Sequence, residues 1–561
     1  MKKQLIILPL AALMLAGCTI GGGGGGKKKS SGDSSDTATT SEPTSDSSSS
    51  SSEEWTGKTN KDFEYARTTY TKAGSEFPLN RNTLYLNQNA PHLDPGSTEN
   101  HILVVPFGFT DRTSVQTEAN RQRIEKAFFG TEEEMATING WHSLASFYNK
   151  SSYGKSVFGG KVLPTWCVYN GTMSSFSGGG VSAAEYARNW YMTEYAKENH
   201  GELGADAEPL SYFDSNNDGF LDLVWVVYSA PTVQGTDWWA YVTYTGNAKN
   251  MSNPAVKTLG WASIDWLDKG LNGYDPHTFI HETGHTYSLD DYYDYNGTWS
   301  PMGGIDFMDH NLGDHSMYSK FQLGWTSPLV VDDDAMITLH PGTTTGDCFI
   351  LPSPGYNNTA FDEYMMIELM APVGLAERDY KNGYEGTKGY SVPGIRITHC
   401  DARAYKTSHD TPLTTNPEEG IDLRLDNSYK GRSSLKMDSD YFPREDGSNG
   451  YMTQFSLIES AIDPKDNWTT SANYQASNST LFKKGARFNL KAGSGWAENF
   501  MPSGSNLWNK AKTITGWASS TEQTYTIDDT ITFNYSIKVV SIEENPEFGY
   551  EAKVQVTKNA Y

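Results

Sequence analysis

Cysteine is scarce in this chain. Cys18, Cys167, Cys348 and Cys400 are the only four in 561 residues. With Cys18 set apart by its place in the leader, an odd three remain, which excludes a disulfide framework and allows one pair at most. Basic side chains are also short: 44 Lys and Arg stand against 68 Asp and Glu, a formal charge of −24 spread along the chain. Nucleic acid is therefore not expected as a partner. Beyond Leu5–Leu15, itself too short to span a bilayer, no long apolar run occurs. One local absence matters more than these. No Glu lies between Glu282 and Glu363, so a site built around residue 282 must take any further nearby carboxylate from Asp.

What is present suits an exported, turn-rich protein with 53 Gly and 13% aromatic residues, long enough for two or three domains. Residues 1–18 read as an export signal: Lys2 and Lys3, an apolar run, then Leu15-Ala16-Gly17-Cys18. The last four look like the lipobox of bacterial lipoproteins, in which the cysteine is lipidated and becomes the new N-terminus. The expectation is an exported bacterial lipoprotein, at the cell surface or extracellular, meeting the membrane only through a lipid at Cys18. A plain secretory signal is the other reading. Residues 19–54, with Gly21–Gly26 and Ser47–Ser52, cannot bury a core and form a tether.

Residues 55–100 read as a polar leader segment and 101–326 as the first domain. The run from His101 to Phe109 predicts a buried strand. Helical patterns follow at about 114–130, 140–150 and 182–199, the last with Tyr186, Trp190 and Tyr191 as core aromatics. Residues 237–241 predict a further strand region. From 327 to 561 short apolar runs alternate with Gly, Pro, Asn and Asp turns, a β-rich, sandwich-like region of one or two modules. A monomer is expected.

The chemistry concentrates at His281-Glu282-Thr283-Gly284-His285. Residues four apart share a helix face, so His281 and His285 can offer two nitrogens to one ion, with Glu282 beside them. That is the zinc-peptidase pattern, metal for polarisation and glutamate as base. Asp291 follows His281 by ten residues and His285 by six, the metzincin spacing for a third ligand after a turn at Gly. Here Ser288 holds the Gly position, at a cost of about 1 kcal/mol for the left-handed turn. The thermolysin-type alternative, a Glu about 20 or more residues downstream, is closed by the absence of Glu. Asp291 is thus the expected third ligand, with Asp290, Asp294, His310 and His315 as substitutes. Met302, within Trp299–Gly304, falls where a Met-turn would run, though an ordinary core methionine would read the same. Tyr318 and His315 are the donors considered for the oxyanion.

Upstream, Asp214-Ser215-Asn216-Asn217-Asp218-Gly219-Phe220-Leu221-Asp222 matches nine positions of a calcium loop. Oxygens would come from Asp214, Asn216, Asp218, the Phe220 carbonyl and Asp222. Position twelve, normally Glu, is Trp225, so the match is partial. The other reading is an Asn-Asp-Gly turn ahead of a strand at Leu221–Tyr228.

With these motifs in place, the chain resembles the immune inhibitor A family of secreted bacterial metallopeptidases. His281 to Asp294, HETGHTYSLDDYYD, follows that family's HExxHxLGLPDxYD, with Ser288 and Asp290 replacing Gly and Pro. Ser152-Tyr153-Gly154-Lys155, Lys320 before Leu323-Gly324-Trp325, Glu363–Glu368 and Pro393–His399 are similar to further segments, over roughly residues 100–400. The resemblance implies an α+β zincin-like catalytic domain followed by the β-rich region, and a zinc endopeptidase, calcium-stabilised, cleaving proteins or peptides outside the cell. By position it implies His281, His285 and Asp291 as zinc ligands and Glu282 as base. A surface-anchored binding or adhesion protein on a degenerate peptidase scaffold is the second reading, prompted by Ser288 and the large β-region.

Overall fold

The run from His101 to Phe109 is an interior strand of a sheet covered on both faces. The computed structural model describes residues 55–72, 74–79, 93–97, 99–289, 291–293, 302–353, 356–401, 455–460, 476–489, 511–515, 522–526 and 535–558. Residues 1–54, Cys18 included, lie outside them. The first strands are β1 (Lys58–Thr59), β2 (Thr69–Lys72), β3 (Ser75–Pro78), β4 (Asn100–Phe109), β5 (Phe158–Val162) and β6 (Cys167–Tyr169). β7 (Phe220–Leu221), β8 (Leu223–Tyr228), β9 (Tyr241–Tyr244), β10 (Ala255–Val256) and β11 (Thr258–Ser263) follow.

The main sheet runs β5-β4-β8-β11-β9, with β6 also paired to β4. Every pair in it is parallel except β11 with β9. A parallel sheet is covered on both faces, which is why β4 and β8 are almost unbroken apolar runs. Ile102, Val104, Leu223, Trp225 and Val227 face helices Glu118–Phe129, Leu144–Ser151 and His277–Thr286. Leu103, Val105, Val224, Val226 and Trp261 face helix Gly179–Tyr195. The chain is therefore mixed α/β, with helices layered on both faces of this sheet instead of segregated from it.

Local signals explain most of the boundaries. Thr117 caps its helix by accepting the Asn120 N–H, so that helix starts at Glu118 and not at 114. Tyr191 is buried, with Tyr186 and Trp190 packed at the edge of the same core. Residues 237–240 are not strand; Trp238 packs on Tyr228 and Trp261, and Trp239 on Trp266, before β9 begins. Inward packing of those indoles replaces the alternation that a strand would need.

The C-terminal region contains β12 (Leu329–Val330), β13 (Ala335–Leu339), β14 (Cys348–Pro352), β15 (Glu363–Met370), β16 (Gly394–Asp401) and β17 (Phe455–Ile458). It continues with β18 (Arg487–Asn489), a hairpin of β19 (Ala511–Thr515) and β20 (Glu522–Thr526), then β21 (Tyr535–Asn545) and β22 (Gly549–Lys558). Two five-stranded sheets, β12-β14-β15-β16-β17 and β1-β13-β22-β21-β18, share one apolar core. Residues 55–79 do not simply precede the first domain. β1 pairs with β13, the Ala66 N–H bonds the Pro328 carbonyl at 2.8 Å, and Val330 bonds back to Glu64 at 2.9 Å. Cys167, Cys348 and Cys400 are buried and unbridged.

Helix His277–Thr286 carries the HExxH residues and is fastened at both ends. The Trp225 indole donates to Thr283 Oγ1 at 3.0 Å, joining the helix to β8. At its start, Asp275 Oδ1 accepts both the His277 N–H at 3.0 Å and Nδ1 at 2.6 Å. His277 Nε2 meets Asp379 Oδ2 at 3.1 Å, and the ring is stacked between Trp141 and Tyr384. Burial opposes protonation of His277, but the two carboxylates outweigh it and raise its pKa to about 9. An unfolded histidine titrates near 6.5, so this group's stabilisation, on the order of 3 kcal/mol, is complete below about pH 6.5 and disappears as pH rises through about 9. Thermal melts between pH 6 and 10 should show a fall that is smaller in His277→Gln, because His285, raised to about 10, adds its own loss in both proteins. Equal falls in the two proteins would rule out this role for His277.

Candidate metal centre

His281, Glu282 and His285 lie in the second half of helix His277–Thr286. His281 is 5% exposed, while Glu282 and His285 are half-buried and reach the surface. The helix ends at Thr286, and Ser288 takes the left-handed conformation with φ +63°. The turn expected at the missing Gly is thus made by Ser, and it brings Asp291 back over the helix. Asp291 Oδ1 lies 2.9 Å from His281 Nε2 and 3.3 Å from His285 Nε2.

The three donor atoms lie within 4.8 Å of one another, and no other such group of His, Cys, Asp or Glu occurs among the described residues. Around a tetrahedral zinc with bonds of about 2.0–2.1 Å, neighbouring ligand atoms stand roughly 3.3 Å apart. The 3.3 Å His285–Asp291 separation matches that spacing and the 2.9 Å His281–Asp291 one is a shorter hydrogen-bond distance; two imidazoles with one carboxylate form a donor set zinc accepts with a position left open. Both rings are oriented from behind. His281 Nδ1 bonds the Phe307 carbonyl at 3.0 Å and His285 Nδ1 the Leu289 carbonyl at 2.8 Å. A ring that donates from Nδ1 keeps Nε2, the nitrogen that faces Asp291, for a metal ion.

The charges support one another. Burial alone would raise Asp291, but His285 and His281 outweigh it and hold the carboxyl well below the usual range. Burial would lower His285, and Asp291 chiefly reverses this, raising it to about 10. Burial raises Glu282, partly opposed by the two histidines and by the backbone N–H of Val242. Val242 belongs to β9, the outer strand of the sheet, so that strand runs beside the helix at Glu282.

Other expected residues fall elsewhere. Asp290 and Asp294 lie outside the described residues. His310 bonds Asp309 at 2.6 Å and is not in the cluster. His315 is 2% exposed, packed among Phe147, Tyr148, Phe307 and Trp325, and neither ring nitrogen has a partner. Tyr318 is 1% exposed. Both turn into the core, so the two residues considered for the oxyanion are closed off from solvent. Tyr293 was not anticipated; it is half-buried, its ring 6.4 Å from that of His281 and nearly parallel to it. Met302 is fully buried in the same core as Phe307 and Met308. The SYGK and Lys–Leu-Gly-Trp segments meet: Lys320 Nζ bonds Asp314 at 2.6 Å and the Tyr153 hydroxyl at 3.0 Å.

The 214–222 loop closes on its own backbone. Asp214 accepts from Asp218 and Gly219, Asp218 from Phe220, and Asp222 from Ser215 and from His101 in β4. Burial raises Asp222 to about 6. Asn216, Asp218, Phe220 and Asp222 line a small polar pocket that Lys257 also lines. The loop is a hydrogen-bonded turn, and its acids do not form a three-carboxylate group.

Compared with known proteins, the chain matches no family model and no curated protein. The likeness to the immune inhibitor A family rests on the motifs themselves.

The turn at Ser288 can be tested directly. Ser288→Gly should bind zinc as tightly as the parent protein. Ser288→Val, whose β-branch opposes a left-handed φ, should bind at least about tenfold more weakly. Equal zinc affinities in the two variants, measured by chelator competition, would remove the turn from the account.

Proposed function

We propose that this chain is a zinc-dependent endopeptidase with a zincin-like catalytic domain. The observation that carries this is the His281–His285–Asp291 cluster with Glu282 on the same helix. When bound, zinc would supply Lewis acidity, polarising the scissile carbonyl and acidifying water. Glu282 accepts the proton of the attacking water and returns it to the leaving nitrogen. Its position half-buried beside both histidines suits that task. A peptide laid in extended form along the outer edge of β9 would pass Glu282 at Val242, pairing through main-chain hydrogen bonds. Tyr293 is the side chain we assign to stabilise the oxyanion, in place of Tyr318 and His315.

The lipobox-like Leu15–Cys18 and the 19–54 tether support presentation of this site outside the cell on a lipid anchor. No helix among the described residues is long and apolar enough to cross a membrane. Calcium at the 214–222 loop is a subsidiary proposal, supported by its spacing of Asp and Asn oxygens.

Glu282→Gln should retain one zinc per chain and lose casein hydrolysis by about 10²–10⁴-fold. Hydrolysis that survives the change would overturn the assignment of the base. Zinc held by the parent protein, with no cleavage of any member of a mixed protein library, would instead favour the binding-protein reading.

A further inference from the structure

The segment from Gly303 to Met308 has two working edges. On one, the Gly303 carbonyl accepts the Ala476 N–H at 2.8 Å and the Ile305 carbonyl accepts Arg396 Nη1 at 2.9 Å. On the other, the Phe307 carbonyl meets His281 Nδ1 at 3.0 Å, and the Met308 carbonyl accepts the Tyr292 N–H, next to Asp291, at 2.7 Å. The first edge is held by the C-terminal region. The second holds one metal-facing imidazole and the backbone beside the metal-facing carboxylate.

Arg396 sits on β16 directly across from Glu368 on β15. Its Nε and Nη2 both lie 2.8 Å from Glu368 Oε1, and the two residues are only 2% and 3% exposed. Burying such a pair is costly, and a well-packed apolar pair of similar volume is often as stable or more so. Stability alone is therefore a weak reason for a guanidinium here. What it adds is a charged, fixed donor left over after pairing, aimed at one carbonyl two residues before Phe307.

We propose that Arg396 is a positioning residue for the metal centre. By holding the Ile305 carbonyl it sets where the Phe307 carbonyl stands, and so fixes the ring orientation and Nδ1–H tautomer of His281. The β-rich C-terminal region then supplies part of the support on which the metal geometry depends. This rests on the metal-binding part of the proposed function, not on the cleavage step.

The test uses the whole chain. Arg396→Lys keeps a cation beside Glu368 but lacks the fork that also reaches Ile305. Its zinc affinity by chelator competition should fall about 10–100-fold, and the visible spectrum of the cobalt-loaded protein should shift. A role confined to C-terminal packing would lower melting temperature without moving that spectrum. If Arg396→Lys does not fold, the charge-free pair Arg396→Gln with Glu368→Gln carries the same two readouts. A folded variant with unchanged zinc affinity and cobalt spectrum overturns the proposal. Failure of the proposed function looks different. A parent protein that binds zinc but cleaves nothing defeats the peptidase reading alone, and one that binds no zinc defeats both.

Discussion

Two imidazoles and a carboxylate facing one point are held there by the Asp291 oxygen between His281 Nε2 and His285 Nε2, and the surrounding structure serves that arrangement. Left alone, a buried carboxylate would protonate and buried imidazoles would discharge. Asp291 and His285 stabilise each other's charged forms, which is also the electrostatic environment that a divalent cation can enter in exchange for protons. The helix supplies the histidines at fixed spacing, and the left-handed turn at Ser288 returns the aspartate. Backbone carbonyls at Leu289 and Phe307 then set the rings.

Two of these supports come from far along the chain. His277, at the start of the same helix, is locked to Asp379 in helix Ala376–Asn382, and Arg396 reaches Ile305 from β16. Residues 58–67 run along the C-terminal sheets, while Leu93 bonds Thr286 at the end of the helix. The first domain and the β-rich region are thus joined around the metal centre, not strung one after the other.

Much of the site was legible because its signals are local. The i, i+4 histidines need only a helix, and the absence of Glu directed attention to Asp291. The sheet was legible at β4 and β8 because burial on two faces demands an unbroken apolar run. What escaped the sequence depends on contacts between distant segments or on backbone atoms. A carbonyl such as that of Phe307 has no side-chain signature. Arg396 lay in a recognisable strand, but its partner at Ile305 is 91 residues away. For Tyr318 and His315, closeness in sequence to the motif does not mean exposure beside it. The short helix Met317–Gln322 is buried throughout and carries Tyr318 into the core, while His315 packs among aromatic rings. In the 214–222 loop Asp214 accepts the backbone N–H groups of Asp218 and Gly219, contacts that the spacing of Asp and Asn alone does not reveal.

The central claim is that His281, His285 and Asp291 are ligands of one zinc ion. X-ray absorption at the zinc edge, on the whole chain loaded with one equivalent, tests it most directly. Two imidazole nitrogens at about 2.0–2.1 Å with oxygen at about 2.0–2.2 Å and no sulfur are expected, with loss of that shell in Asp291→Ala. A sulfur distance near 2.3 Å, or a shell unchanged in that variant, would contradict it.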